Sequence, residues 1–541
     1  MRALFIVLLL QLFGACFSSF AEESEFLRGR VYDSQTGEAI VFATVRIKGR
    51  AKGVITNMDG GFRLPHHLID KGDSIQVTSM GYEKKDLAIQ RLSASDINII
   101  RLSASAISLN EAVVRAKRKR KLTANQILYR AIKNIPKNYP NSAYTIKGYY
   151  RDYQLDSLGY LNLNEAFLEV FDQGFNEIDS ATTKTRIFDY VQNTEFRRDD
   201  LAAKPYDYEN YQKIVNKAFL PSYGGNEFLI LRIHDPIRNY RINSFDFVNV
   251  MYDSDIINNH SFKKHLDTYL EDEGIYKIGL EKSYPEYAPD YTALGTIYIS
   301  KNDYAIHKLE YAVYDDNISN NQIELLDKDV SGKLIFEVVT EYVRGDSNKM
   351  KLNYISFQNS FQLSLPPKFI VENIDFHSEK RAIVVKFNNP LGKYSNADKR
   401  NNYSFRYKGK RLDIEKVVVA DNRSIVFLNM DEQDWIKMKS KRIGNTNERF
   451  FKENLLDAKI KNITDIDGNQ INQRDSKDFN QFREFFVQET KRTSEVPHDS
   501  LLMNIRKPIY MNQPIVKPND YQNYWMNTPF KELNPAPGKF E

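Results

Sequence analysis

A single cysteine, Cys16, occurs among 541 residues, so the chain forms no intrachain disulfide and no cysteine-rich metal site. An excess of one charge sign is also missing. Lys and Arg number 76 against 71 Asp and Glu, and a net charge of +5 is too weak an imbalance to indicate a nucleic-acid partner. Behind the first residues no apolar run approaches the roughly 20 needed to span a bilayer, so the mature chain is expected to have no transmembrane helix. A long alternating series of membrane strands is absent too, which excludes a receptor barrel. What the chain does hold is aromatic: 33 Tyr and 33 Phe, in stretches poor in Ala and rich in Asn, favour strands over helical bundles. A hydrophobic fraction of 42% with 27% charged residues excludes wholesale disorder. The length exceeds one core and suggests about three or four domains.

Met1-Arg2 precedes the apolar run Ala3 to Phe13, and Ser19-Phe20-Ala21 places small residues ahead of acidic Glu22-Glu23. This is the pattern of a secretory signal peptide cut after Ala21. Phe13-Gly14-Ala15-Cys16 partly resembles a bacterial lipobox, with Phe13 where an aliphatic residue is usual. Two readings therefore stand for Cys16: lipidation, or loss with the leader. In both, the compartment is the periplasm or the outer-membrane surface.

From residue 26 short strands alternate with turns. Leu27 to Asp33 runs into Ser34-Gln35-Thr36-Gly37, Val41 to Ile47 alternates apolar and polar, and Asn57-Met58-Asp59-Gly60-Gly61 punctuates the next pair. The spaced positions Gly29-x-Val31-x-Asp33, Ala43-x-Val45 and Gly53-x-x-Thr56-Asn57-x-Asp59-Gly60-x-Phe62 resemble the carboxypeptidase regulatory-like family. The resemblance implies a seven-stranded transthyretin-like β-sandwich over 26–115, with Asn57 standing where the family more often has Asp. Ser108 to Val114 is similar to the segment that follows this module in bacterial outer-membrane nutrient receptors.

The family name invites a peptidase reading, which the residues reject. A zinc carboxypeptidase needs a His-x-x-Glu pair and a distant His around one metal. His307-Lys308-Leu309-Glu310 has that spelling but lies in an alternating strand, where residues three apart point to opposite faces. His66, His67, His260 and His265 form no ligand cluster. No cofactor and no metal is expected, and the chain is read as a non-enzyme. Dispersed acids (Glu165, Glu169, Glu281, Glu310) leave an acidic hydrolase as a further alternative.

Arg115 to Lys121 is a basic run, read as a solvated linker or as a contact with anionic lipid. Thr123 is expected to cap a helix whose stripe is Ile127, Leu128, Ala131, Ile132 and Ile135, stopped by Pro136. The span 142–365 reads as a curved antiparallel sheet with an aromatic insertion. There Tyr206, Tyr208 and Tyr211 are candidate contacts for a glycan or a protein partner, and a helix is expected through Ile214 to Leu220. The meander is similar in pattern to the half-barrel of periplasmic lipoprotein carriers, where a helix plugs the concave face.

Beyond Pro366-Pro367 the order of strands, with Phe387-Asn388-x-Pro390-Leu391 and Asn402-Tyr403-Ser404, resembles bacterial Ig-like domains of surface-layer proteins over 366–472. Asp465, Asp467 and Asn469 open like a calcium loop, but Ser476 stands at the twelfth position, so a turn at Asp467-Gly468 is the reading. The tail, 473–541, holds one strand around Phe482–Val487 and is then broken by prolines; Trp525, Phe530 and Ile515 suggest that it lies along the body.

The expected fold is mainly β and multidomain: the N-terminal seven-stranded sandwich, a basic linker and amphipathic helix at 116–141, the central curved sheet with helical insertions, and the Ig-like sandwich. The expected function is that of a cell-envelope protein that binds an outer-membrane or cell-surface protein, a glycan or a lipid. The alternative is a lipid or lipoprotein carrier that uses the central sheet.

Overall fold

Where apolar and polar residues alternate behind the leader, the computed structural model shows strands. It describes residues 25–50, 52–105, 121–156, 158–205, 213–214, 225–242, 256, 260–270, 273–283, 291–315, 333–345, 347–377, 379–440, 456–492 and 495–531. The cleavage site Ala21, Cys16, the receptor-like segment 108–114, residues 115–120 of the basic run, and Tyr206, Tyr208 and Tyr211 lie outside the described residues.

Seven strands between Phe26 and Leu102 form two sheets. Phe26–Asp33 sits between Gly61–Pro65 and Ile97–Leu102; Gly53–Ile55, Thr44–Ile47, Ser74–Thr78 and Lys85–Ala88 make the other sheet in that order. Val31, Val45, Phe62, Leu64, Ile75 and Val77 meet in a shared core. The turn that closes it works with Asn57: its Oδ1 accepts from Gly61 N–H at 2.8 Å, and Gly60 adopts φ +73°. An asparagine thus supplies the same turn acceptor as an aspartate.

The helix Ala124–Asn138 starts as expected. Thr123 and Gln126 form a reciprocal capping box, and Ile127, Leu128 and Ile135 are fully buried, roughly 1.5–3 kcal/mol of transfer energy each. Pro136 does not stop it. The helix runs on to Asn138, two residues further, because a proline so near the C-terminus forfeits a single hydrogen bond.

The central element is a 12-stranded sheet. Its main path runs Lys184–Gln192, Gly159–Asp172, Tyr144–Asp156, Ser476–Arg492, Met350–Ser364, Lys333–Arg344, Ile306–Asp315, Tyr291–Ser300, Glu273–Ser283, Ser261–Lys264. Two short strands add to it: Lys213–Ile214 beside Met350–Ser364, and Thr268–Leu270 beside Glu273–Ser283. Ile214 is therefore strand, not the start of a helix, because its backbone finds a ladder partner more than a hundred residues away. The strand expected near Phe482–Val487 is Ser476–Arg492, and it lies in the interior of this sheet rather than in a tail.

The chain divides into two compact units, Met1–Gln362 with Asp478–Glu541, and Leu363–Lys477. The second is a pair of small sheets, Val371–Phe376, Ala382–Phe387, Arg423–Leu428, Ile414–Ala420 and Lys410–Arg411, Tyr403–Tyr407, Leu456–Ile460. Phe369, Val385, Phe387, Phe405, Val426 and Trp435 fill the core of this unit. Asp465 is spent inside a turn: its carboxylate accepts from Asp467 N–H, Asn469 N–H and the Asn389 amide.

Candidate functional site

Alternation sends the two faces of the large sheet to different neighbours. On strand Tyr144–Asp156, Tyr150 and Asp152 look toward the helices, and Tyr149, Arg151 and Tyr153 toward the N-terminal module. On the helical side Phe228 packs edge-on against Tyr150 and Phe485, both at 5.3 Å between centroids. His234 stacks on Phe357 at 4.0 Å, and Tyr342 donates to Asp235 at 2.7 Å. An ion cluster pins this insertion: Arg232 contacts Asp172 at 2.9 Å and Asp179 at 2.6 Å, and Arg238 binds both oxygens of Asp172. Burial opposes ionisation of Asp172, but the two guanidinium groups hold its carboxyl below the usual range.

On the module side Phe42 lies 4.8 Å from the Tyr354 ring, and Ile55 joins Tyr149, Phe167 and Phe486 in one apolar cluster. Asn353 donates to Thr44 at 3.2 Å. The module is thus seated on the sheet by apolar contacts ringed with hydrogen bonds.

A polar pocket opens on the helical side of the sheet. Asp152, Gln154, Asn162, Asn164, Glu227, Gln481 and Tyr510 are among the residues that line a space of about 20 Å³, room for about one water. Asp152 accepts from Asn164 Nδ2 at 2.9 Å and from Tyr150 at 3.2 Å. Burial and then the charge of Glu227 push Asp152 up to about 7. Glu227 accepts from Arg483 Nε. Close by, Lys213 donates to the carbonyls of Ala202 and Lys204 at 3.0 Å, and burial lowers it to about 8.

None of these pocket residues stood out in the sequence. One trace was there: Asp152 and Gln154 continue the stripe of Tyr144, Ile146 and Tyr150, so polar groups fall where an apolar face should continue.

The acids singled out from sequence do not converge. Glu165 accepts from Tyr149 and Asn193, Glu169 pairs with Arg186, Glu310 pairs with Lys308 at 2.7 Å, and Glu281 is exposed. His307 turns from Glu310 and places Nε2 3.3 Å from Glu273, whose carboxyl is held well below its usual range by His307 and also by Ser300 and Arg344. Among the described residues no group of three or more His, Cys, Asp or Glu could hold a metal ion, and no helix is long and apolar enough to cross a membrane.

Comparison with known proteins bears on the module. Residues 27–114 match the CarboxypepD_reg-like domain family. The TonB-dependent receptor SusC of Bacteroides thetaiotaomicron is 35% identical over 113 residues, 20% of this chain and 10% of the receptor. The chain therefore spans about a tenth of the length of that curated relative. Among solved structures, a LolA superfamily protein from Nitrosomonas europaea aligns over 44% of this chain and 86% of its own at 12% identity and a TM-score of 0.19. A domain from Vibrio parahaemolyticus described as an outer membrane lipoprotein-sorting protein aligns over the same 44% and 86%, at 12% identity and a TM-score of 0.22. Likenesses this loose decide nothing about ligand or partner.

Proposed function

We propose that the chain is a modular protein of the bacterial cell envelope that acts by binding an outer-membrane or cell-surface protein, without catalysis and without a cofactor. The observation that carries this reading is the N-terminal module, which matches the CarboxypepD_reg-like domain family and is seated on a large sheet, in a chain that is 35% identical to a TonB-dependent receptor over 113 residues. The leader expected at residues 1–21 supports export to the periplasm or the outer-membrane surface; Cys16 is lost with that leader, or is the lipid attachment point where the cut falls before it instead. The Leu363–Lys477 unit serves as an Ig-like spacer, and Tyr206, Tyr208 and Tyr211 as contacts. The test is a pull-down of the tagged chain from its native envelope in mild detergent, with mass spectrometry of proteins and lipids. A stoichiometric outer-membrane protein supports the reading, and recovery of the chain alone sinks it.

A second reading, a carrier of an acyl chain, has one specific support. Phe228, Ile230, Leu231, Phe336 and Phe357 are buried, and Phe336 packs on Phe357 beneath His234 on the helical side of the sheet, an apolar setting that a cargo would enter by displacing the 226–238 segment. Native mass spectrometry of protein purified without detergent checks it; no bound or exchangeable lipid rules it out.

A further inference from the structure

Strand Gly61–Pro65 is the outer strand of its three-stranded sheet. Such an edge presents main-chain groups that need partners. Gly61 is satisfied within its own turn, its N–H donating to Asn57 Oδ1 at 2.8 Å and its carbonyl accepting from Asn57 N–H at 2.9 Å. Pro65 has no N–H. Arg63 is left, and side chains from the far end of the chain answer both of its groups. Arg63 N–H donates to Asn527 Oδ1 at 2.8 Å, and the Trp525 indole N–H donates to Arg63 O at 2.9 Å.

The same segment fills the space around that edge. Trp525, only 5% exposed, belongs to the apolar core of the module. Asn527 also donates to Ile55 O at 2.9 Å. Phe530 lies against the Arg30 and Arg63 guanidinium groups, each 5.2 Å from the ring centroid, and its edge would be 2.8 Å from a Cβ at Gly61. Yet the segment makes no strand there. Pro529 deprives it of one donor, and its grip on the edge consists of side chains rather than a ladder.

We infer that this edge is a peptide-recognition site of the module, that Trp525–Phe530 is its intramolecular occupant, and that it takes in exchange an extended segment of a partner protein with the same chemistry: a tryptophan, an asparagine two residues on, and a phenylalanine three further. Edge recognition joins main-chain hydrogen bonding, which tolerates many sequences, to pockets for particular side chains, which select among them. The tethered tail competes at an effective concentration on the order of millimolar, so the site opens only to a partner that adds contacts or loosens the tail. The inference deepens the binding-protein reading and rests on it.

The probe is a fluorescent peptide of residues 519–531, titrated by anisotropy onto the full chain and onto full-length Phe530→Ala. Loss of a buried aromatic anchor should free the edge, so the variant is expected to bind the peptide about ten-fold or more tightly than the wild type does. A peptide with Trp525 replaced by alanine should bind neither. Should Phe530→Ala fail to fold, a full chain with an engineered protease site in the 505–516 stretch replaces it. After cleavage the cut tail is expected to exchange with the labelled peptide. Weak, equal binding to wild type and folded Phe530→Ala, or a cut tail that never exchanges, overturns the inference. Both measurements read the edge itself, so their failure leaves the pull-down result standing, and an empty pull-down leaves peptide exchange to be judged alone.

Discussion

Arg151 and Glu484 form an ion pair across neighbouring strands of the large sheet with neither side chain exposed to solvent. Tyr153 donates to the other oxygen of Glu484 at 3.1 Å, so the carboxylate is matched on both sides. A sealed pair of this kind is costly to break from one side, because the remaining charge stays buried. Glu484→Gln is expected to lower unfolding free energy by about 3–5 kcal/mol in urea, whereas Arg151→Met with Glu484→Leu recovers most of the loss. If the double variant is as unstable as the single one, packing rather than charge dominates the site.

Asp152 should impose a pH dependence of opposite sign to ordinary acid denaturation. Its folded value, near 7, lies above its unfolded value of 3.8, so the native state holds the extra proton between the two. The stabilisation is full at the acid end and disappears as pH rises through about 7. Asp152→Asn keeps an acceptor for Asn164 and cannot ionise. It is expected to gain stability over the wild type at pH 8 and little at pH 4, as read by urea unfolding at both values.

His234 should act the other way. Burial against Phe357 lowers it from 6.5 to about 4, so it remains neutral in the fold where the unfolded chain is already protonated. Stability from this group is present above 6.5 and is lost as pH falls toward about 4, by roughly 3 kcal/mol in all. In His234→Gln the slope across that window should flatten even where the absolute stability drops. An unchanged slope would place the proton elsewhere.

Gly60→Ala tests the turn of the module. Gly60 has φ +73°, and a Cβ there would lie 2.4 Å from the Val31 carbonyl oxygen. Backbone strain and collision together are expected to cost about 1–3 kcal/mol, with the loss of protection in hydrogen exchange concentrated at Asn57 to Gly61. Uniform protection across the module in the variant would show that the turn yields without strain.

Excision tests the independence of the Leu363–Lys477 unit. Its two ends meet, Leu365 N–H donating to Asp475 O at 2.8 Å. Replacement of 366–474 by a short Gly-Ser link is expected to leave one cooperative thermal transition for the remainder. Aggregation or a broad, non-cooperative melt would show that the sheet needs the inserted unit.

Local signals were legible in the sequence and distant pairings were not. Thr123, Gln126 and the apolar stripe behind them announce a helix start because every participant lies within one or two turns. The strand character around Phe482 was visible in its own composition. Its place beside Tyr144–Asp156 was not, since nothing local records a partner three hundred residues upstream. Ile214 was misread for the same reason. The pocket draws Asp152, Asn164, Glu227, Gln481 and Tyr510 from separate stretches, and only Asp152 carried a hint, as an acid on an apolar stripe. In the tail Trp525 and Phe530 are buried, as their size suggested, while Ile515 stays 45% exposed.

The place of strand Ser476–Arg492 between Tyr144–Asp156 and Met350–Ser364 has a consequence for biogenesis. A nascent chain emerging from its N-terminus carries both of those strands for a long interval with facing edges unpaired, and the sheet stays open in the middle until Ser476–Arg492 arrives, well after Met350–Ser364. Closure then requires loop entropy to be overcome late and over a long separation, which slows folding and exposes sticky edges meanwhile. Shielding by a chaperone during that wait should matter more to yield than any single contact in the finished fold.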